Sequence, residues 1–212
     1  MLLYQILHYI KSKMGDKITL YTAHHCPFAH RVQTILRELN LEFETCLIDI
    51  TIPRTPEYLA INPNGMVPAL MYNDLVLTES GLICQFLADS YPSSLLMPSS
   101  DPEGALQRFN VGFFVDTYFS KAHKFFDSTV FSHDSGAKTE RANEYIDAVA
   151  RYVEPLLADS APFFGGSERP TLAEVSDRWP MPMLVDKKGL TTMMYPGVER
   201  SFLAEGLGLT EV

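Results

Sequence analysis

A single thiol stands where a strand-like run gives way to a helical one. Ile18-Thr19-Leu20-Tyr21 is of β type, and Val32, Ile35, Leu36 and Leu39 repeat at helical spacing, which predicts an amphipathic helix over residues 30–40. Between them lies Cys26-Pro27-Phe28-Ala29. Pro27 suits the first helical position, where its missing N–H costs nothing. Such a helix points its unpaired N–H groups and its positive dipole end at the Cys26 sulfur, which favours thiolate over thiol. A thiolate is the nucleophile of thiol–disulfide exchange and of attack on electrophilic sulfur or carbon. Ala29 holds the place of a resolving cysteine. No disulfide can close across this turn, so a second thiol must come from outside the chain.

The strand–turn–helix start fits a longer pattern. Leu41–Ile50 reads as a second strand, the Pro-containing stretch 52–56 as a loop, and Glu57–Ile61 as a short helical turn. Asn62-Pro63-Asn64-Gly65 is a dense turn signal. Val67–Met71 and Leu75–Leu77 then make a hairpin around Asn73-Asp74, and a helix runs from Glu79 to Ser90. The order β-α-β-α-β-β-α within about eighty residues is a compact α/β domain. Residues 92–102, rich in Pro and Ser, read as a linker. Beyond them the pattern is helical. Residues 103 to about 126 carry Leu106, Phe109, Phe113 and Phe114, and Ala142, Tyr145, Ile146, Val149, Val153 and Leu156 mark a second amphipathic helix. Thr171-Leu172-Ala173-Glu174 is a capping box at a further helix start.

Charge and cysteine usage exclude several classes. A net charge of -9 opposes binding to nucleic acid, whose backbone requires a basic surface. No apolar run is long enough to span a bilayer, so stable membrane insertion is not expected. Three cysteines without framework spacing indicate a reducing, cytoplasmic setting. Cys46, in the strand-like Phe43–Asp49, and Cys84, among Leu82, Ile83, Phe86 and Leu87, read as structural. His24 and His25 beside Cys26 lack a fourth ligand at standard spacing, so no metal site is expected. They line the mouth of a site instead, where a protonated imidazole would further favour the thiolate.

Residues 1–13 carry an apolar stripe, Leu2, Leu3, Ile6, Leu7 and Ile10, without the leading charge and cleavage site of a secretory signal. They read as an extension that the fold does not use, and Met14 would also serve as a start. The myristoylation pattern from Met14-Gly15 to Thr19 is set aside because Ile18–Tyr21 belongs in the sheet.

Taken in order, Cys26-Pro27-Phe28-Ala29, the run from Asn62 to Leu70, Glu79-Ser80-Gly81-Leu82-Ile83 and the Thr171 capping box resemble the cytosolic glutathione transferases over about residues 17–175. The single Cys with Phe two residues on is most similar to the cysteine-type classes, omega and lambda among them. The resemblance implies a thioredoxin-like N-terminal domain over 14–91, an all-α C-terminal domain over 103–175, a homodimer, and glutathione as co-substrate at a site between the domains. It implies a cis bond at Val67–Pro68, leaving the Val67 backbone to pair with the cysteinyl part of glutathione as an added strand. Glu79 and Ser80 open a helix whose N-terminus takes the γ-glutamyl carboxylate, with the Ser80 hydroxyl donating and Glu79 accepting from the γ-glutamyl ammonium. Arg54 is the candidate for the glycyl carboxylate, Phe28 packs under the site or fills the core, and Cys26 is catalytic.

The pattern breaks after Val175. Ser176-Asp177-Arg178-Trp179-Pro180-Met181-Pro182 interrupts the expected helix, and each proline inside it would cost ~3 kcal/mol or more. Residues 176–212 are therefore expected to form an atypical, poorly packed tail, leaving Phe113, Ile146 and Val149 less shielded. A truncated isoform fits this, and so does a reading error, since Val175-Ser176 is what the intron start GTAAGT encodes in frame. The function expected is a glutathione-dependent thiol transferase or reductase in which Cys26 forms a mixed disulfide with glutathione. The alternatives are conjugation of glutathione to small electrophiles, or a non-catalytic binding module of the same fold. The second substrate is accordingly a small electrophilic, disulfide or glutathionylated compound.

Overall fold

The computed structural model describes residues 16–126, 135–160 and 162–177. The apolar stripe of residues 2–10 and the tail from residue 178 on lie outside the described residues. The chain divides into two compact units between Leu96 and Met97.

The first unit follows the expected order: β1 (Ile18–Thr22), α1 (Pro27–Glu38), β2 (Glu44–Leu47), α2 (Pro56–Ile61), β3 (Ala69–Tyr72), β4 (Leu75–Leu77) and α3 (Ser80–Ser90). The sheet runs β2-β1-β3-β4, with β1 parallel to β2 and antiparallel to β3, and β3 antiparallel to β4. Leu20 sits at the centre, opposite Thr45 on one side and Leu70 on the other. Strand β1 alternates inward at Ile18, Leu20 and Thr22, the period of a pleated strand. Helices α1 and α3 pack together, and Val32, Ile35, Leu36, Leu70, Ile83 and Leu87 close the core. This is the thioredoxin-like arrangement implied by the sequence.

Helix α1 starts at Pro27, the residue suited to its first position, three residues before the apolar-spaced stretch 30–40. It ends early for an equally local reason. Asn40 takes a left-handed φ of 52°, the Leu41 N–H returns to the Leu36 carbonyl and the Asn40 N–H to Arg37, a paired C-terminal stop. That turn shortens β2 at its start. At the other end of the sheet, Tyr91 and Asn73 both donate to the Asp16 carboxylate and Tyr72 bonds Tyr91.

Cys84 lies fully buried on α3, and burial pushes its thiol up to about 12. Its folded value is raised, so the stability it contributes is complete below the ordinary thiol range and drains as pH rises from there to about 12. Urea melts at about pH 8 and about pH 10.5 should show a larger loss in the parent chain than in Cys84→Ala. Equal losses would mean that the thiol is hydrated in the folded chain.

The described residues of the second unit are mainly helical. Helix α4 (Pro102–Thr117) starts on Asp101, whose side chain accepts from the Glu103 N–H, and continues as a π-helical turn, Tyr118–His123. Helix α5 (Ser135–Ala148) passes into a second π-helical turn, Val149–Val153, and then a 3₁₀ turn, Glu154–Leu157. The sequence suggested continuous helices here. Pro155 lacks the N–H that would continue the second one, so its last turn tightens. The two π turns pack on each other around Tyr118, Ala122, Val149 and Val153. Gly104 is required on α4, because a Cβ there would lie 2.1 Å from the Pro98 carbonyl oxygen.

The apolar residues of α4 divide between two faces. Leu106, Phe109 and Phe113 are 59%, 65% and 50% exposed, and the Phe109 and Phe113 rings stack on the outer face of α4. The buried face carries Val111, Phe114 and Thr117 instead, with Phe114 against Phe164. Helix α6 (Leu172–Asp177) packs on α4 and buries Leu172, Ala173, Val175 and Ser176, leaving Phe113 half open. The expected capping box is present: the Thr171 hydroxyl accepts from the Ala173 N–H, and the Thr171 N–H donates to Glu174 at 2.7 Å.

Candidate functional site

Cys26 is the residue on which α1 is capped, with an extended backbone and no capping bond from its side chain. Its Sγ instead donates to the Val67 carbonyl at 3.6 Å, and the residue is 8% exposed. Ala23, Ala29, Tyr58 and Val67 surround it. The bond between Val67 and Pro68 is cis. Cys26 and the Val67–Pro68 loop, 41 residues apart in sequence, are thus brought into contact.

The loop that presents Val67 is held from three sides. Asn62, itself buried, accepts from the Asn64 N–H and donates to the Met66 carbonyl at 2.8 Å. The Tyr58 hydroxyl donates to the same carbonyl at 2.6 Å. Burial pushes the Tyr58 hydroxyl up, which keeps it protonated for that bond. Arg54 Nε donates to the Gly65 carbonyl at 2.8 Å. Gly65 has a φ of 64° and its missing Cβ would press on the Arg54 stem, so glycine is needed for both reasons.

Arg54, the candidate for the glycyl carboxylate, also donates through Nη1 to the carbonyls of Asp49 and Ile52. Its guanidinium therefore ties the 49–54 loop to the turn before Val67. Asp49 is held below its ordinary range by hydrogen bonds from the Thr51 hydroxyl and N–H, with a smaller contribution from Arg54.

At the start of α3, Glu79 is exposed and adopts a φ of 63°, a conformation that costs a non-glycine residue ~1–3 kcal/mol. Its carbonyl accepts from the Ile83 N–H, so the earlier N–H groups of the helix are without intrahelical partners. Ser80 is buried directly after it, and its Oγ accepts two bonds from Arg31, from Nε at 2.9 Å and Nη2 at 2.5 Å. Phe28 lies at the surface rather than in the core, with the Arg31 guanidinium 5.4 Å from its ring centroid. His24 and His25 are exposed immediately before Cys26.

Arg31, Tyr58 and Asn62 were not singled out by sequence reasoning. Asn62 carried a turn signal but no sign of its side-chain bonds. Arg31 and Tyr58 lay on helices whose apolar spacing drew attention to other faces.

Residues 20–95 match the family described as Glutathione S-transferase, N-terminal domain. The chain resembles the cytosolic glutathione transferases. Rat glutathione S-transferase omega-1 is 28% identical over 158 residues, 71% of this chain and 61% of that protein. Glutathione transferase Omega 1C from Trametes versicolor, a solved structure, is 28% identical with a TM-score of 0.63, covering 77% of this chain and 68% of its own. Rice GST1, crystallised in complex with glutathione, has a TM-score of 0.68 over 77% of this chain and 72% of its own, and at 24% identity it shows the shared fold alone. The chain spans only part of the curated relatives it matches, from 26% of one to 61% of another. The glutathione transferase-like fold of the first unit is therefore clear, and the second unit follows it in the sequence with described residues that are mainly helical.

Proposed function

We propose that the chain is a glutathione-dependent thiol transferase or reductase. Cys26, as thiolate, attacks the glutathionyl sulfur of a glutathionylated or oxidised substrate. A mixed disulfide forms, the old S–S bond breaks, and the substrate thiolate leaves to take up a proton. A glutathione thiolate then attacks the glutathionyl sulfur on Cys26, releasing oxidised glutathione and restoring the cysteine. The observation that supports this is the single thiol at the start of α1, against Val67 and with Ala29 in the resolving position. In this reading glutathione lies with its cysteinyl backbone along Val67 and Pro68 and its γ-glutamyl end at Glu79 and Ser80, and Arg54 serves the glycyl end while bracing its loop. A cytoplasmic homodimer belongs to the same reading, and the exposed Leu106–Phe109–Phe113 face supplies apolar area for it.

A second reading, glutathione binding without turnover, is favoured by one feature: the Cys26 thiol is buried and already donates to Val67.

The orientation of the ligand is tested at Glu79 and Ser80. Ser80→Ala removes a hydrogen bond to the γ-glutamyl carboxylate and should weaken glutathione binding by ~1–3 kcal/mol. Glu79→Gly should weaken it similarly, yet leave the melting temperature unchanged or raised, because glycine relieves the positive φ. Calorimetric titration beside thermal melts separates the effects. Unchanged affinity in both variants would return the two residues to a purely structural role.

A further inference from the structure

We propose that Arg31 is a positioning residue for the γ-glutamyl end of glutathione, acting through Ser80; this rests on the ligand orientation proposed above and adds a residue to it. Arg31 lies on the second turn of α1 and reaches the first residue of α3. Two of its N–H groups converge on the Ser80 oxygen, at 2.9 and 2.5 Å. A hydroxyl has two lone pairs and one proton. With both lone pairs taken by the guanidinium fork, Ser80 is left one role, that of donor, and its proton must point away from Arg31.

The direction of that proton matters because Ser80 is 6% exposed and stands where the first N–H groups of α3 lack intrahelical partners. A donor hydroxyl added to those donors suits an anion and disfavours a neutral group. Arg31 also sets a fixed positive charge behind the hydroxyl. The guanidinium lies over the bare backbone of Gly81, where a Cβ would make ordinary contact with Nη2 at 3.5 Å, and the Phe28 ring centroid stands 5.4 Å from its central carbon. The two bonds to Ser80 aim the fork at the hydroxyl. Arg31 thus does not touch the ligand; it fixes which way Ser80 donates.

The test pairs two ligands with two proteins. The ligands are glutathione and its analogue in which the γ-glutamyl α-carboxylate is a carboxamide. The proteins are the parent chain and Arg31→Met, with affinities measured by calorimetric titration. The parent should prefer glutathione by about tenfold or more, the value of a charge-assisted contact. Arg31→Met should lose about tenfold for glutathione and less than twofold for the carboxamide, so the preference collapses. Arg31→Lys, which keeps the charge but not the fork, should fall between the two. If Arg31→Met weakens both ligands by one common factor, Arg31 merely supports the fold and the proposal is overturned. A parent chain that binds both ligands equally overturns the orientation of glutathione itself, a different failure. Should Arg31→Met not fold, Arg31→Lys decides: a preference equal to the parent's overturns the proposal, a reduced one supports it.

Discussion

Cys26→Ser is expected to abolish thiol transfer. Sulfur must form, and then release, a disulfide with glutathione, and a hydroxyl can do neither. The fold should tolerate the change, because serine keeps a donor for the Val67 carbonyl and caps α1 well. Turnover of a glutathionylated substrate should fall to background while the melting temperature moves little. The variant should keep glutathione binding, since the contacts proposed at Val67, Glu79 and Ser80 are intact. Weak conjugation of glutathione to an electrophile can persist or emerge, because the serine hydroxyl can donate to a bound glutathione thiolate. Persistent thiol transfer in Cys26→Ser would move the chemistry to another group, with half-exposed Cys46 the first to examine.

The largest stability effect is expected at Glu174. One carboxylate oxygen accepts from the Thr171 N–H and hydroxyl, at 2.7 and 2.8 Å, and the other accepts from the Phe164 N–H at 2.7 Å. The residue closes the capping box of α6 and also anchors the turn carrying Phe164, whose ring packs on Phe114. Glu174→Ala orphans two backbone donors in a partly buried place, where each bond to a charged group is worth ~1.5–3 kcal/mol. The expected loss is ~2–4 kcal/mol, a fall in Tm of roughly 5–15 °C. Glu174→Gln, which keeps one acceptor oxygen, should lose about half as much. A loss in Glu174→Ala no larger than that of a surface cap, ~1 kcal/mol, would show that water replaces the carboxylate at both donors.

The parts of the structure that were legible in sequence are those in which a residue type answers a backbone demand. Pro27 opens α1, Asn62–Gly65 turns the chain before Val67, and Thr171 with Glu174 caps α6. Each leaves a local signature, since the partners lie within a few positions. The supporting side chains left none. Arg31 and Ser80 are 49 residues apart, and no spacing rule joins them. The same holds for the outward face of α4. Aromatic residues lie on both sides of that helix, so apolar spacing alone did not distinguish Phe113 from Phe114. The π-helical turns left no signature either, because each is a short insertion in a longer helical stretch and carries ordinary helix-forming residues.

Intact-mass spectrometry of the chain after incubation with oxidised glutathione, followed by peptide mapping, tests the central claim most directly. One glutathionyl adduct, carried on the Cys26 peptide and removed by reduced glutathione, is the predicted result. An adduct confined to Cys46, or no adduct in a chain that conjugates glutathione to a chloronitrobenzene, would contradict it.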